Sequence, residues 1–529
     1  MIPAPDEASG FLRTSARVSV VTGLARVAGF SRYIVLGLAV GTTYLGNTYE
    51  TANWVPNIVF ELAAGGVLSA VFVPTFVREL ENGRERGIEI ASSLANTFLL
   101  LSVPVVVVGA IAAKPIMRIM TIAVSDPAIR AAQIETGSWF LYVFLPQVPI
   151  YVLAMVMTGI LHAHRRFIAP AAAPLFSSLV VISAYLTFGA LGAGAELGTV
   201  TNIQRYVLAG GTTAGVFVLA FSQLPSVIST GVRWRPVLGW GDPAVRRALR
   251  AGLAGAAYFA ISEIGLIITL LFANRVQGGV VAYRVAFAFF DLPRALIGIP
   301  VAAVLLPTLA EHVARSEHDA FARMWSRGWK AAIALGAPAA AGLVALAPVL
   351  ADAVLSRAPS AAAPELVGST LRVLALGVPA FVLVEPLIRT FFARHETRAP
   401  VVMNAVTVGV SAAVIVPLSL IAAPHGARAL QLIGLGTAAG HWLGVAAGTM
   451  LLATRVRGWA VADDLRAGIA SVGRAALMGV VVYAAVRWID AGAEAGALIG
   501  VVVGVGAYAL LTARGGELRR TWKWLRASG

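Results

Sequence analysis

The sequence contains no cysteine and few charged residues. The absence of cysteine from all 529 residues excludes disulfide bonds, thiol nucleophiles and thiolate metal sites. The seven histidines form no HExxH or similar cluster, so we expect neither a metal site nor a catalytic site. Charged residues make up 13% of the chain and hydrophobic residues 58%. A soluble fold could not bury that much apolar surface, so the composition indicates a membrane protein.

Apolar segments of helix length recur from one end of the chain to the other. Backbone polar groups in lipid must be satisfied within their own segment, so these segments are predicted to be helices. A membrane barrel would need an alternation with period two, which the sequence lacks. The predicted fold is an all-α membrane protein with about 14 transmembrane helices, at residues 18–40, 50–77, 92–113, 136–161, 168–192, 206–230, 251–273, 279–310, 328–354, 366–393, 400–423, 430–453, 467–488 and 495–513.

The net charge of +15 is distributed unevenly among the predicted loops. An even number of helices puts both termini on one side, and if that side is cytoplasmic, basic residues inside exceed those outside by roughly three to one. The positive-inside rule therefore explains the charge, and no nucleic-acid partner is expected. Residues 1–15 are polar and carry no apolar core with a cleavage site, so no cleavable signal peptide is expected. We predict a multi-pass protein of the cell membrane with cytoplasmic termini.

The chain also contains an internal repeat. Prolines in similar contexts recur in the pairs Pro149 and Pro379, Pro170 and Pro400, and Pro74 and Pro307. The offset is 230 residues for the first two pairs and 233 residues for the third. Because this offset spans an even number of helices, the two copies share one topology. The repeat predicts two duplicated six-helix lobes around a central cavity, which is a transporter architecture, with two further helices at the C-terminus.

Charged residues inside apolar helices are candidates for function, because each costs about 2.5–3.5 kcal/mol to insert. The first predicted helix carries Arg26 and Arg32, which lie ~120° apart around the helix axis. We expect both to face a wide cavity at different depths, the alternative being that either snorkels or pairs with a carboxylate. Glu263, in the seventh predicted helix, is either an ion or proton site or half of a structural pair with an arginine.

The second predicted helix carries a polar stripe. Its members follow a spacing of three, four and four residues, which puts them on one helix face: Glu50, Asn53, Asn57 and Glu61. A stripe this long should not face lipid. It either lines a cavity, which is the interpretation we favour, or hydrogen-bonds to a neighbouring helix.

Two later helices carry charges as well. Arg284 and Asp291 are seven residues apart and share one face of the eighth predicted helix, with Arg294 turned somewhat away. Glu385 and Arg389 in the tenth predicted helix stand at i and i+4, a spacing that predicts an internal pair with a structural role.

Three stretches carry a family resemblance. Residues 25–32, residues 52–74, and residues 286–293 leading to Pro307 resemble the signature of the MurJ/MviN lipid II flippases. The likeness covers nearly the whole chain. It implies the fold of the multidrug/oligosaccharidyl-lipid/polysaccharide exporter superfamily. The implied cargo is lipid II, the undecaprenyl-pyrophosphate-linked peptidoglycan precursor, carried to the outer leaflet by alternating access for cell-wall synthesis.

The resemblance also implies an organisation and a site. We expect a cytoplasmic N-terminus at 1–17, an N-lobe at 18–230, a C-lobe at 231–455, a lipid-tail groove formed by the last two helices at 456–513, and a basic cytoplasmic tail at 514–529 that anchors on anionic lipid. Arg26 and Arg32 fall on the family's cavity arginines, which are expected to meet the pyrophosphate. The predicted substrate-binding set is Arg26, Arg32, Asn53, Asn57, Glu61, Arg284 and Asp291.

Neither a cofactor nor an enzymatic activity is expected. No ATP-binding loop is present, so transport would be coupled to an ion gradient or to the membrane potential. Proteins of cell-wall synthesis or division are candidate partners. A membrane glycosyl- or acyltransferase is disfavoured, because such an enzyme needs acid and base residues in a sizeable outer loop and these loops are short.

The sequence departs from the family pattern at several positions that often carry charge: Tyr33, Asn47, Phe60, Gly65 and Ala288. The predicted cavity is therefore nearly neutral. Two alternatives stay open: an exporter of another polyprenyl-linked oligosaccharide or of drugs in the same superfamily, and a degenerate paralogue that acts as a scaffold in cell-wall assembly.

Overall fold

Helices form nearly all of the chain in a computed structural model that describes residues 5–62, 76, 78, 83–489 and 492–513. The described part contains no strand, and the all-α prediction is confirmed. Gly65, Pro74 and the predicted tail at 514–529 lie outside the described residues. The chain divides into two compact units, Met1–Glu263 and Ile264–Gly529. The lobe boundary expected at residue 230 stays a prediction.

The helices of the first unit begin and end as follows: α1 (Pro5–Ala39), α2 (Tyr44–Glu61), α3 (Arg84–Ile111), α4 (Ala113–Met120), α5 (Pro127–Phe144), α6 (Gln147–Ala163), α7 (Ile168–Gly192), α8 (Asn202–Phe221), α9 (Leu224–Ile228) and most of α10 (Pro243–Ala273). Helix α1 packs on α7, α7 on α8, and α8 on α6. Helix α2 packs on α5 and α6.

The second unit contains the end of α10, then α11 (Gly279–Pro293), a π-helical turn (Arg294–Gly298), α12 (Ile299–Ala314), α13 (His318–Leu355), α14 (Ala363–Leu374), a 3₁₀ turn (Ala375–Gly377), α15 (Val378–Ala393), α16 (Arg398–Ile421), α17 (Gly426–Ala453), α18 (Val461–Ile489) and α19 (Ala493–Ala513). Helix α15 packs on α12, α13 and α17, and α16 packs on α17.

Within the described residues, 11 helices or runs of helices are long and apolar enough to cross a membrane. Three predicted segments are not among them, at 50–77, 251–273 and 430–453. Most of the segment at 50–77 after residue 62 lies outside the described residues. The apolar described part of α10 is short at Tyr258–Ala273, and α17 is rich in glycine and alanine. The count of 14 therefore stays a prediction.

Several segments predicted as single helices are interrupted. The segment predicted at 136–161 consists of α5 and α6, separated at Leu145 and Pro146. The segment predicted at 366–393 is broken by the 3₁₀ turn, and Pro379 follows two residues later. Proline lacks an N–H and restricts the residue before it, so regular helical bonding fails at these places.

Residues with a positive φ angle recur in the same order along the two units, as the predicted duplication requires. Arg165 and His395, 230 residues apart, end α6 and α15 with φ angles of 56° and 57°. Left-handed residues of the first unit pair in chain order with residues of the second: Gly41 with Gly278, Gly83 with Ser316, Arg165 with His395, Gly192 with Ala423, Gly194 with Gly426, and Gly231 with Gly458. The φ angles agree closely for Arg165 and His395, whereas other pairs share only a positive φ, as with Gly192 at 141° and Ala423 at 38°.

Helix α17 approaches α16 through glycines at every fourth position, namely Gly436, Gly440, Gly444 and Gly448. A methyl group at Gly440 would overlap the backbone oxygen of Thr407 and the hydroxyl of Ser411. Small residues at this spacing let helix backbones come close together in membrane proteins.

A buried carboxylate ties α18 to α13. Asp464 accepts hydrogen bonds of 2.7 Å from Ser326 Oγ and from Trp459 Nε1. Its side chain is 2% exposed and pairs with Lys330 Nζ at 2.9 Å. Because all these groups satisfy one another, the charge is tolerated in the interior.

Candidate functional site

Arg32 is the predicted cavity cation whose surroundings are best defined. It is half-buried on α1, and its Nη2 donates a hydrogen bond of 3.3 Å to the hydroxyl of Tyr33. Its guanidinium carbon lies 5.1 Å from the centroid of the Tyr33 ring. Glu50 and Tyr185 are close enough to interact with it electrostatically. The first unit therefore holds a cation among aromatic hydroxyls and one carboxylate.

Arg26, six residues earlier on α1, is exposed. Within the part of the chain that the structure describes, it has neither a hydrogen-bond nor an ion-pair partner. The different exposure of the two arginines follows from their different faces of the helix. The structure does not bring them to one point.

The polar stripe of α2 faces the interior of the first unit. Glu50 is 5% exposed, whereas Asn53, Asn57 and Glu61 are half-buried. Asn57 Oδ1 accepts a hydrogen bond of 2.9 Å from the hydroxyl of Tyr151, and Asn57 Nδ2 donates one of 2.7 Å to the backbone oxygen of Asn53. The middle of the stripe thus makes the helix–helix contact that was the alternative interpretation. Among the described residues, the buried Oδ1 of Asn53 has no hydrogen-bond partner.

The end of α2 lies against the same tyrosine. The Phe60 and Tyr151 rings are 4.5 Å apart, and Glu61 is close enough to Tyr151 to interact with it electrostatically. Phe60 is one of the positions that depart from the family pattern, and here its ring packs in place of a charge.

A group of three hydroxyls, from Tyr49, Tyr185 and Thr212, was missed by the sequence analysis. The Tyr49 hydroxyl lies 2.9 Å from that of Tyr185 and 2.6 Å from Thr212 Oγ1, and Tyr49 is fully buried. The three side chains come from α2, α7 and α8, so no local spacing could have indicated the cluster. It is buried next to Glu50, in the neighbourhood of Arg32.

Glu263 has a partner that the sequence did not suggest. The indole Nε1 of Trp54 donates a hydrogen bond of 3.0 Å to Glu263 Oε2, and Glu263 is 7% exposed. The bond connects α2 with α10. A tryptophan donor satisfies a buried carboxylate in part without neutralising it.

Arg294 is the centre of a charged group in the second unit. Its Nε donates to Asp291 Oδ1 at 2.7 Å and its Nη1 donates to Glu385 Oε1 at 2.9 Å. The sequence analysis had turned Arg294 somewhat away from the face that Arg284 and Asp291 share, but Asp291 and Arg294 are three residues apart, a spacing at which side chains on one helix can meet. The predicted pair of Arg389 and Glu385 is present at 3.9 Å, yet Arg294 makes the shorter contact.

The remaining predicted residue, Arg284, is half-buried on α11. Tyr283 beside it is buried, and its hydroxyl lies 3.5 Å from Thr437 Oγ1. Ala288, one turn further, leaves the face between Arg284 and Asp291 uncharged. No group of three metal-ligating side chains occurs within the residues that the structure describes.

Comparisons with known proteins agree along most of the chain. The family profile described as "Lipid II flippase MurJ" matches residues 37–497. A protein of Rhizobium tropici named "Probable lipid II flippase MurJ" is 30% identical over 474 residues, which cover 88% of this chain and 85% of the relative. A protein of Burkholderia cenocepacia named "Lipid II flippase MurJ" is 24% identical over 402 residues, which cover 74% of each chain.

Solved structures show the same fold. A structure described as "Lipid II flippase MurJ, inward closed conformation" superposes with a TM-score of 0.76 at 17% identity and covers 94% of this chain and 98% of its own. An inward-facing multidrug resistance MATE transporter of the MOP superfamily superposes with a TM-score of 0.67 at 15% identity, over 83% of this chain and 94% of its own. At these identities the structural likenesses concern the fold alone.

Proposed function

The chain belongs to the family described as lipid II flippase MurJ, and on that premise we propose that it carries lipid II from the cytoplasmic to the outer leaflet of the cell membrane. The observation that carries the proposal is the family match over residues 37–497, which includes the whole of α2 and begins five residues after Arg32. The protein crosses the membrane several times. We further propose that it lies in the cell membrane with both termini in the cytoplasm.

Arg32 is suited to contact a pyrophosphate. A guanidinium has five N–H donors, and within the described residues Arg32 uses one of them, toward Tyr33. The others remain to replace the water that a phosphate loses on entering the protein. Charge-assisted bonds from arginine to phosphate are short and can be bidentate, which orients the cargo as well as binding it. Arg26 on the same helix supplies a second cation at another depth.

Rocking between two states would expose the site first to one leaflet and then to the other. The membrane potential contributes about 2.3 kcal/mol for each charge moved through 100 mV, so either the potential or an ion gradient can drive the cycle. No step in this cycle requires a covalent change in the cargo or in the protein. A role beside proteins of cell-wall synthesis or division follows from the cargo.

The departures from the family pattern favour one second candidate. Phe60 packs on Tyr151 and Ala288 adds no charge to α11, at positions where relatives often carry charge. A site with fewer cations would suit the export of another polyprenyl-linked oligosaccharide. Both candidates predict an arginine-held phosphate, and they differ in the sugar and peptide that the chain accepts.

Complementation tests the proposal. The chain would be expressed in a bacterium whose own lipid II flippase is depleted, with membrane insertion verified by fractionation. Rescue of growth and of cell shape supports the lipid II assignment. Lysis despite normal insertion would contradict it, and restored transport of another lipid-linked sugar would favour the second candidate.

A further inference from the structure

The segment that connects α9 with α10, residues 231–242, lies against α3 and is called here the α9–α10 loop. The backbone N–H of Arg235 donates a hydrogen bond of 3.2 Å to Ser92 Oγ. Asn96 Nδ2 donates to the backbone oxygens of Arg235 and Val237 at 2.8 and 2.9 Å. Because side chains of α3 hold its backbone at these points, the loop presents a defined surface.

The two ends of the loop are anchored in the interior, but its middle is not. Val245, just beyond the loop, belongs to a buried apolar cluster of the first unit, and Val232 packs against that cluster. Four large apolar side chains between these anchors are 37–53% exposed: Trp234, Val237, Leu238 and Trp240. Within the described residues neither indole N–H has a hydrogen-bond acceptor. Exposed apolar patches of this kind mark surfaces that another molecule covers.

The position of the loop along α3 indicates what covers it. Residues 85–99 of α3, all of which the structure describes, expose no large apolar side chain, whereas several are exposed between Leu100 and Ile111. The exposed apolar part is the part that faces lipid. Asn96, which holds the loop, precedes Leu100 by one helical turn, or about 6 Å. The loop therefore lies at the level of the lipid headgroups, where tryptophan is enriched because its ring is apolar and its N–H is polar.

The loop and the first turns of α10 are strongly basic. Residues 231–250 contain five arginines and one aspartate, which gives this stretch a formal charge of +4. The aspartate, Asp242, forms an ion pair with Arg86 of α3. All five arginines are exposed, and three of them have no ion-pair partner within the described residues: Arg233, Arg247 and Arg250. This charge is complementary to anionic headgroups, which attract basic segments beside a membrane span.

We propose that the α9–α10 loop binds anionic phospholipid of the surrounding membrane. Trp234, Leu238 and Trp240 insert among the headgroups, and the neighbouring arginines donate hydrogen bonds to lipid phosphates. The apolar side chains alone would contact neutral lipid equally well, and the charges supply the preference for anionic lipid. The site holds membrane lipid rather than transported cargo, so the inference goes beyond the proposed function and does not depend on it.

The test measures the depth of the loop in the membrane. Because the chain contains no cysteine, Leu238→Cys provides a single site for a nitroxide spin label on the full-length protein. The labelled protein is placed in nanodiscs of phosphatidylcholine alone or of phosphatidylcholine mixed with phosphatidylglycerol. Collisions of the label with oxygen, which concentrates in lipid, are compared with collisions with an uncharged water-soluble nickel chelate. The oxygen-to-nickel ratio should be higher in the anionic nanodiscs.

Removal of the arginines should abolish this difference. The variant carries three substitutions beside the label: Arg233→Gln, Arg247→Gln and Arg250→Gln. Each basic residue at an anionic surface contributes a factor of about five to partitioning, so three contribute roughly a hundredfold. The ratio in anionic nanodiscs should therefore fall to that in neutral ones. Salt at 1 M, which shortens the Debye length to about 3 Å, should lower the ratio in the unsubstituted loop as well.

Two controls separate the loop from general effects of charge and of labelling. The matched variant removes three exposed arginines of the second unit and should leave the label at position 238 as deep as before: Arg323→Gln, Arg327→Gln and Arg457→Gln. A label at His318→Cys is exposed at the start of α13 between Glu317 and Asp319. This label should stay accessible to nickel in both lipid mixtures, because its acidic neighbours are repelled by an anionic surface.

Equal depth of the Leu238→Cys label in neutral and anionic nanodiscs would overturn the proposal, and so would free access of nickel to this label in both. A label that neither oxygen nor nickel reaches would show that protein covers the loop, which also overturns it. If the triple arginine variant does not fold, the salt dependence of the unsubstituted loop still decides the question. All of these results leave the proposed function standing, because none of them measures lipid II.

Discussion

The hydroxyl of Tyr151 donates a hydrogen bond of 2.9 Å to Oδ1 of Asn57, and this bond ties α6 to the polar stripe of α2. Removing either partner leaves the other with an unsatisfied polar atom in the interior, which costs about 1–3 kcal/mol. Tyr151→Phe and Asn57→Ala should each lower the stability of the purified protein. A double-mutant cycle by denaturation in detergent should give a coupling of about 1 kcal/mol.

Tyr142→Phe is the control, because Tyr142 is 49% exposed. Loss of the Tyr142 hydroxyl should leave the unfolding midpoint of the protein unchanged. Strictly additive effects of Tyr151→Phe and Asn57→Ala would show that the bond contributes nothing to stability, and Asn57 would then be free to act on the cargo.

Gly440→Ala should destabilise the packing of α17 on α16. The added methyl group meets the Thr407 backbone oxygen, which cannot move as a flexible side chain can. Overpacking of this kind costs about 1–3 kcal/mol. The matched control is Gly409→Ala on α16, where a methyl group enters open space. The control should be neutral or slightly stabilising, because alanine is the better helix former; equal thermal midpoints for the two variants would rule out a tight contact.

Asp464 and its chain neighbour Asp463 provide a second matched pair in the first turn of α18. Asp464→Ala leaves the buried Trp459 indole and Ser326 without an acceptor, and we expect a loss of about 1–3 kcal/mol in the free energy of unfolding. Asp463→Ala should change it by less than about 1 kcal/mol, because its side chain is 66% exposed and its pair with Arg466 is a surface one. The comparison cancels the effect of the helix dipole, which both carboxylates share.

Topology is the next prediction. Reporter fusions at Arg235 and Arg457 should be cytoplasmic, and fusions at Gly194 and Ala358 should be external, because basic residues are concentrated in the loops predicted to be inside. Reporters of opposite specificity, one active on each side of the membrane, would be compared at all four positions. One site on the unexpected side would break the 14-helix arrangement.

Much of the fold was accessible from sequence for a physical reason. A bilayer imposes a length and an apolar composition on every span, so the segment at 168–192 coincides with α7 (Ile168–Gly192). The proline repeat likewise corresponds to turns that recur in both units, as at Arg165 and His395. The predicted segment at 430–453 likewise lies within α17 (Gly426–Ala453).

The candidate site was less accessible. Charged residues at membrane depth could be selected one at a time, because insertion cost depends on each residue alone. The partners of these residues could not be predicted from the sequence. Contacts such as Tyr49 with Tyr185, or Arg294 with Glu385, join helices that are far apart along the chain. The contact of Arg294 with Asp291, by contrast, lies at the i, i+3 spacing that a helical period can indicate.

The central claim is that Arg32 and Arg26 contact the pyrophosphate of lipid II during transport. The most direct test measures how much lipid II is accessible at the outer leaflet of cells whose own flippase is depleted. The wild-type chain should restore accessibility, and Arg32→Ala should lose it at normal expression, because removing a charge-assisted donor from a desolvated phosphate costs roughly 2–5 kcal/mol. Arg32→Lys should restore it in part, since lysine lacks the planar fork. Arg457→Ala, in an exposed loop, should behave as wild type. Wild-type accessibility in the Arg26→Ala/Arg32→Ala double variant would contradict the account.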